Sequence, residues 1–227
     1  AIRELDDFLA LAKDDAPSFA PGTQWAYSNI GMILLGKIIE TVTQTPYPAH
    51  VTRHVLDPAG MRTAEFLQLD HVNKGIAVGY HHHWTARGRV RTNALFEWAV
   101  KGAADGCAFA TVDDIWAFAQ ALMGGRLVSG AMVTRMTTPK PELCAPDYGY
   151  GFAIHPERAI IGHSGGLIGA SANLDIMLQP AGWGVVVLAN DLSMRTPVLR
   201  ARQLVGVTVP EADEARAYLP RGGMTAR

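Results

Sequence analysis

The sequence predicts an α+β fold: a mostly helical region followed by an antiparallel β-sheet with a C-terminal helix. Three observations predict it. Apolar residues recur at helical spacing in the first half of the chain. After about Tyr148 the period shortens to that of strands. Helices first and a meander of strands second is the order of an α+β arrangement with an antiparallel sheet. Residues 1–147 form the helical region, and 148–227 form the sheet, its C-terminal helix and a tail.

Each element has its own signal. Ile2, Leu5, Phe8, Leu9 and Ala12 repeat at helical spacing, and Pro17 and Pro21-Gly22 break the chain after them. A long helix is predicted from about Ile30 to Val42, with Ser28 and Asn29 as caps. Its interior, "IGMILLGKIIETV", is apolar almost all round, which predicts deep burial. Residues 44–106 read as loops and short helices. "TVDDIWAFAQALMGG" is a clear helix: Thr111 and Asp114 match a capping box, Ile115, Phe118, Ala119 and Leu122 form the inner face, and Gly124-Gly125 stops it. "YGYGFAI" and "RAIIGH" read as short strands. In "SANLDIMLQ", Ala172, Leu174, Ile176 and Leu178 alternate with polar neighbours, which predicts a strand with that apolar face inward. Pro180-Ala181-Gly182 turns the chain into "WGVVVLAN", a buried strand. "RTPVLRARQLVG" is placed as a helix on the sheet, and the tail from Val209 is polar and weakly patterned.

Composition bounds the function. The chain has 227 residues, 48% hydrophobic and 18% charged, with a formal net charge of −1. There is no basic field to hold nucleic acid. No apolar run reaches the roughly 18 residues of a membrane span. The first residues lack a basic region followed by an apolar core, so they are not a signal peptide, and any such signal would lie upstream of Ala1. The chain opens inside an amphipathic helix without an initiator Met, which is the expectation for a processed or truncated piece. Cys107 and Cys144 read as two buried or partly buried thiols in preference to a disulfide.

"IIGHSGGLIG" contains Gly162-His163-Ser164-Gly165-Gly166, a match to G-x-S-x-G, the nucleophile elbow of α/β-hydrolases. That fold needs a His after the Ser, and none of the eight histidines follows Ser164. It also needs a helix directly after the Ser, whereas "LIGASANLDIML" leads into an alternating strand. A glycine-rich strand end beside a tight turn accounts for the motif without chemistry. His81-His82-His83 invites a metal reading. On a strand, His81 and His83 share a face and His82 lies opposite. Two ligands do not close a zinc site, so no metal is assigned.

Three separated stretches resemble one family. "PGTQWAYSNIGMILLGKIIETVT" looks like the segment around the Tyr-x-Asn motif of the serine β-lactamase and penicillin-binding-protein-like hydrolases. "GAADGCAFATVDDIWAFAQALMGG" resembles that family's glycine-rich turn and the helix after it. "YGYGFAI…IIGHSGGLIGASANLDIMLQPAGWGVVVLAN" is similar to its His-x-Gly strand and hairpin. The class C β-lactamase-like branch, with its esterases and D-amino-acid peptidases, is the nearest in pattern. The resemblance implies a serine acyl-enzyme, no cofactor, and a small ester, amide or lactam substrate. It implies Tyr27 as proton shuttle, Asn29 as a substrate hydrogen-bonding group, and His163 lining the pocket where lactam-binding relatives often carry Lys. His at that position leans toward esters or peptides. It further implies that Ser164 points aside or to solvent, that Gly165 lets substrate lie close to the strand, and that the Gly166 N–H is an oxyanion donor. Taken alone, each residue favours a structural reading: Tyr27 a half-buried aromatic, Asn29 an N-cap, and His163 a satisfied strand histidine; the joint match shifts the balance to function.

The family's nucleophile sits in Ser-x-x-Lys. None of Ser18, Ser28, Ser129, Ser164, Ser171 and Ser193 has Lys three residues on. The expectation is a chain lacking the family's N-terminal segment and inactive alone, or a non-catalytic relative that binds a ligand or partner in the remaining cleft. "WGVVVLAN" is then expected to present an unpaired apolar edge and to drive self-association.

Overall fold

The computed structural model describes residues 2–155, 159–178, 182–191 and 195–206. Pro180 and Ala181 of the expected turn, and the tail from Val209, lie outside the described residues.

α1 (Leu5–Ala12) follows the predicted helical spacing and buries Leu5. α2 (Asn29–Thr43) begins where Ser28 caps it, the hydroxyl accepting the Gly31 N–H at 3.0 Å. Leu5, Ile33 and Ala103 form a core cluster with Phe8, Leu9, Tyr47 and Ala104 around them. The deep burial expected of α2 is not found. Only Ile33 and Gly36 are buried, while Leu34, Leu35, Ile38 and Val42 are each at least half exposed. One stripe of α2 meets α1 and the 103–104 turn. No described residue covers the opposite apolar stripe.

α3 (Tyr47–Val51) and α4 (Asp57–Ala59) follow, joined by a wide helical turn over Thr52–Leu56. β1 (Tyr80–Thr85) and β2 (Gly88–Asn93) make an antiparallel hairpin. The sequence pattern does not disclose it, because both strands are polar and largely exposed. The hairpin is tied to the main sheet: the Tyr80 N–H donates to the Asn190 carbonyl, and Trp98 Nε1 donates to the Ile168 carbonyl.

α5 (Val112–Met123) matches its prediction closely. Thr111 accepts from the Asp114 N–H, and the Asp114 carboxylate accepts from the Thr111 N–H. Ala119 and Leu122 are buried on the predicted face. Asp114 also ties the helix to a distant loop, accepting from the Thr63 N–H and from the Thr63 hydroxyl. α6 (Gly130–Met136), capped by Ser129, is an additional helix between α5 and the sheet.

β3 (Ala153–His155), β4 (Ile160–Leu167), β5 (Ala170–Met177) and β6 (Trp183–Ala189) form one sheet in that order, every pairing antiparallel. Helices lie on both faces. Ala119 of α5 packs with Ile154, Ile161 and Ile176, flanked by Trp116. On the other face Ile160, Met177 and Val185 meet Ala201 of α7 (Arg195–Leu204) and Val205 just beyond it. Among the described residues β3 and β6 are the two edge strands, and on β6 Trp183 and Leu188 are exposed. β4 and β5 approach so closely that a Cβ on Gly162 would stand 1.9 Å from the Leu174 carbonyl oxygen.

Two expectations need correction. β5 is buried on both faces: Ile176, with Leu174 partly covered, on the expected apolar face, where Ala172 is exposed, and Ser171, Asn173 and Asp175 on the face expected to meet solvent. The reason is Arg202 of α7. Its guanidinium donates to both Asp175 carboxylate oxygens at 2.7 and 2.8 Å, and both side chains are buried. Ser171 donates to the Asp191 carbonyl. Satisfied polar groups can occupy a buried face that apolar patterning assigns to solvent. The second correction concerns the thiols: Cys107 and Cys144 are free, as read, but both are exposed.

Candidate active site

Three segments converge at the middle of β4. Tyr27 lies just before α2, Tyr148 just before β3, and His163 in the middle of β4. Tyr148 is held by a tight turn in which the Gly149 N–H donates to the Phe152 carbonyl at 2.8 Å and Gly151 has φ +82°. His163 shares a face of β4 with Ile161, which packs toward α5.

The rings form a compact cluster. The centroids of Tyr27 and His163 are 5.7 Å apart, those of Tyr148 and His163 5.8 Å, and those of Tyr27 and Tyr148 6.3 Å. Trp25 extends it, 5.1 Å from Tyr148. These are ordinary separations for tilted and edge-to-face aromatic pairs. Both imidazole nitrogens are engaged. Nδ1 of His163 lies 2.7 Å from the Ser164 carbonyl, which can only accept, and the Tyr148 hydroxyl lies 2.9 Å from Nε2.

Electrostatics keep both tyrosines as phenols at neutral pH. Burial raises Tyr27 above the usual phenol range, and the Asp105 carboxylate raises it further. Burial pushes Tyr148 up to about 12, with Tyr27 adding to the effect. Asp105 is itself raised by its burial. It sits in a turn closed by paired backbone hydrogen bonds between Ala103 and Gly106.

The backbone of β4 supplies a second set of groups. The Leu178 N–H bonds to the Ala159 carbonyl at 2.7 Å, which fixes the phase of the β4–β5 ladder. In an antiparallel pair such bonded positions alternate. Ile161, His163, Gly165 and Leu167 therefore turn their backbone groups to β5, and Ser164 and Gly166 turn theirs away. On that side β3 stops, its last partner on β4 being Gly162. The Gly166 N–H thus faces an edge that no described residue pairs with, and the Ser164 carbonyl on the same side is the one His163 engages.

Of the sequence-derived residues, Tyr27 and His163 come together directly. Gly165 is exposed, with open space where a Cβ would stand, and Gly166 is exposed beside it. Asn29 is exposed at the first position of α2, two residues beyond Tyr27. The Ser164 side chain lies on the opposite face of β4 from His163, with Asn173 across from it. No helix directly follows Ser164. The chain turns at Ile168-Gly169 into β5, and the sheet has no parallel pair among the described residues, so Ser164 is not at a nucleophile elbow. Tyr148, Trp25 and Asp105 are the residues sequence reading passed over.

His81 and His83 share a face, their rings 5.6 Å apart, as strand alternation predicts. His81 meets Glu97 at 3.1 Å, and His82 meets Asp191 at 3.5 Å. Among the described residues no group of three or more His, Cys, Asp or Glu side chains is placed to hold a metal ion.

Comparison with known proteins follows the same lines. Residues 2–208 match the family model described as Beta-lactamase. A D-aminopeptidase of Cereibacter sphaeroides is 26% identical over 175 residues, which is 75% of this chain and 33% of that protein. A penicillin binding protein from Bacillus halodurans superposes with a TM-score of 0.80 at 28% identity, covering 89% of this chain and 63% of that one. The octameric penicillin-binding protein homologue from Pyrococcus abyssi gives 0.74 at 25% identity, covering 90% and 48%. The chain spans about a third of the length of the curated relative and roughly half to two thirds of the solved ones.

Proposed function

The chain belongs to the β-lactamase family, and from that premise we propose that it carries the Tyr-x-Asn and His-x-Gly parts of a serine hydrolase site. The reaction is acyl transfer to a serine and then to water, on a small amide, ester or lactam. Similarity to a D-aminopeptidase favours an amide or peptide substrate. The observation that carries the reading is the Tyr27–His163 contact, which joins two motifs 136 positions apart in the chain at 5.7 Å.

Each residue has a stated role in this reading. Tyr27 shuttles the proton between nucleophile, substrate and leaving group. Asn29 hydrogen-bonds the substrate amide. His163 and the exposed Gly165 line the pocket, and the Gly166 N–H meets the developing oxyanion. Ser164 contributes its carbonyl, not its hydroxyl. Tyr27 needs a cation to act at neutral pH, because burial and Asp105 both disfavour its phenolate. That cation is the lysine of Ser-x-x-Lys, which no serine in these residues provides.

We therefore expect the 227-residue chain alone to show no Tyr27-dependent turnover of a p-nitrophenyl ester or of nitrocefin. Turnover abolished by Tyr27→Phe would refute this. The missing Ser-x-x-Lys equally favours a second reading, a non-catalytic relative that keeps the pocket for binding. The coding sequence upstream of Ala1 separates the two: an in-frame Ser-x-x-Lys favours the enzyme, and its absence favours the binding protein.

A further inference from the structure

We infer that Tyr148 is a positioning residue for His163: together with the Ser164 carbonyl it fixes the imidazole as the Nδ1–H tautomer and keeps Nε2 capped. The inference deepens the reading of the site given above and rests on it for its functional meaning. The argument is one of donors and acceptors. A backbone carbonyl only accepts, so the 2.7 Å contact with Ser164 places a proton on Nδ1. In the neutral ring Nε2 is then an acceptor, and the Tyr148 hydroxyl 2.9 Å away is its donor. Tyr148 is buried and well suited to that role, since its own proton is held tightly. Neither partner is free to drift. Ser164 stands between His163 and Gly165, both bonded positions of the β4–β5 ladder, and Tyr148 packs against Trp25 and Tyr27.

The consequence for chemistry is specific. With Nε2 capped, His163 neither takes a proton from substrate nor gives one through that atom. What the site presents at this corner is an oriented Tyr–His pair. The proton traffic of the site is left to Tyr27.

The test is histidine 15N NMR on the 227-residue chain at pH ~9, above the ordinary imidazole range. His163 resonances are assigned by their loss in His163→Gln. The expected spectrum has the proton on Nδ1 and an unprotonated, hydrogen-bonded Nε2. One hydrogen bond biases a two-state ratio about fivefold, so Tyr148→Phe is expected to lower the Nδ1–H to Nε2–H ratio about fivefold. Wild-type His163 with its proton on Nε2 would overturn the inference without any variant. So would a Tyr148→Phe protein that folds and leaves the ratio unchanged. Neither measurement involves turnover, so the inference and the proposed hydrolase activity fail separately.

Discussion

Asp114 offers a quantitative test of how the sheet's supporting helix is held. Its carboxylate is 4% exposed and accepts from Thr111 N–H, Thr111 hydroxyl, Thr63 N–H and Thr63 hydroxyl. Burial alone would raise it, but these hydrogen bonds prevail and bring it down from 3.8 to about 2. By linkage that lowering is worth about 2 kcal/mol to the folded state when the group is ionised. The sign follows from the direction. A carboxyl depressed on folding contributes fully above its unfolded value of 3.8, and the contribution is lost as pH falls from there toward 2. Asp114→Asn removes the charge and turns one acceptor into a donor that faces other donors. We expect it to destabilise the chain by about 2 kcal/mol at neutral pH. The measurement is urea unfolding by far-UV circular dichroism at a series of pH values. The gap between wild type and variant should narrow between pH ~4 and ~2, because the wild type loses what the variant already lacks. A variant as stable as wild type at pH ~7, or a gap of constant size through the acid range, would refute the account.

Other outcomes follow from the sheet. Arg202→Leu leaves the buried Asp175 carboxylate without its bidentate partner and should cost about 3–5 kcal/mol in urea unfolding. The double replacement Asp175→Leu with Arg202→Leu should recover part of that loss, and a double variant worse than the single one would count against the pairing. β6 is one of the sheet's two edge strands among the described residues, with Trp183 and Leu188 exposed, and α2 adds an uncovered apolar stripe. The chain is therefore expected to self-associate, with light scattering giving a mass above 24.4 kDa that falls in Leu188→Lys. A monodisperse monomer at micromolar concentration would contradict this.

Much of the fold is legible in local chemistry. Ser28 before α2 and the Thr111–Asp114 pair before α5 announce themselves, because a cap is satisfied within a few residues. The His-x-Gly strand and its hairpin are legible from alternation and glycines. Misreadings arise where distant partners decide the outcome. The polar face of β5 is buried as well as the apolar one, because Arg202, 27 positions on, supplies a counter-charge for Asp175. The polar β1–β2 hairpin had no apolar alternation to reveal it. The uniform apolarity of α2 describes what the helix is suited to meet, and the described residues cover one side only. Within the site, Tyr27 and His163 were legible through motifs. Tyr148 was not: "YGYGFAI" reads as strand, and only the tight turn at Gly149–Phe152 brings its hydroxyl to the imidazole.

The alternation along β4 gives this chain a division of labour at single-residue resolution. His163 and Gly165 lie on the face of β4 that carries the proposed site, while Ile160 and Gly162 serve the packing with β5 and α7. Chemistry and cohesion are thus assigned to interleaved letters of one short word. A lineage can rewrite positions 163 and 165 to suit a new ligand while the strand keeps its footing. Inserting one letter inside the strand would exchange the two vocabularies, sending Ser164 to the pocket and the imidazole to the far face. Drift in specificity is cheap here through substitution and closed through insertion.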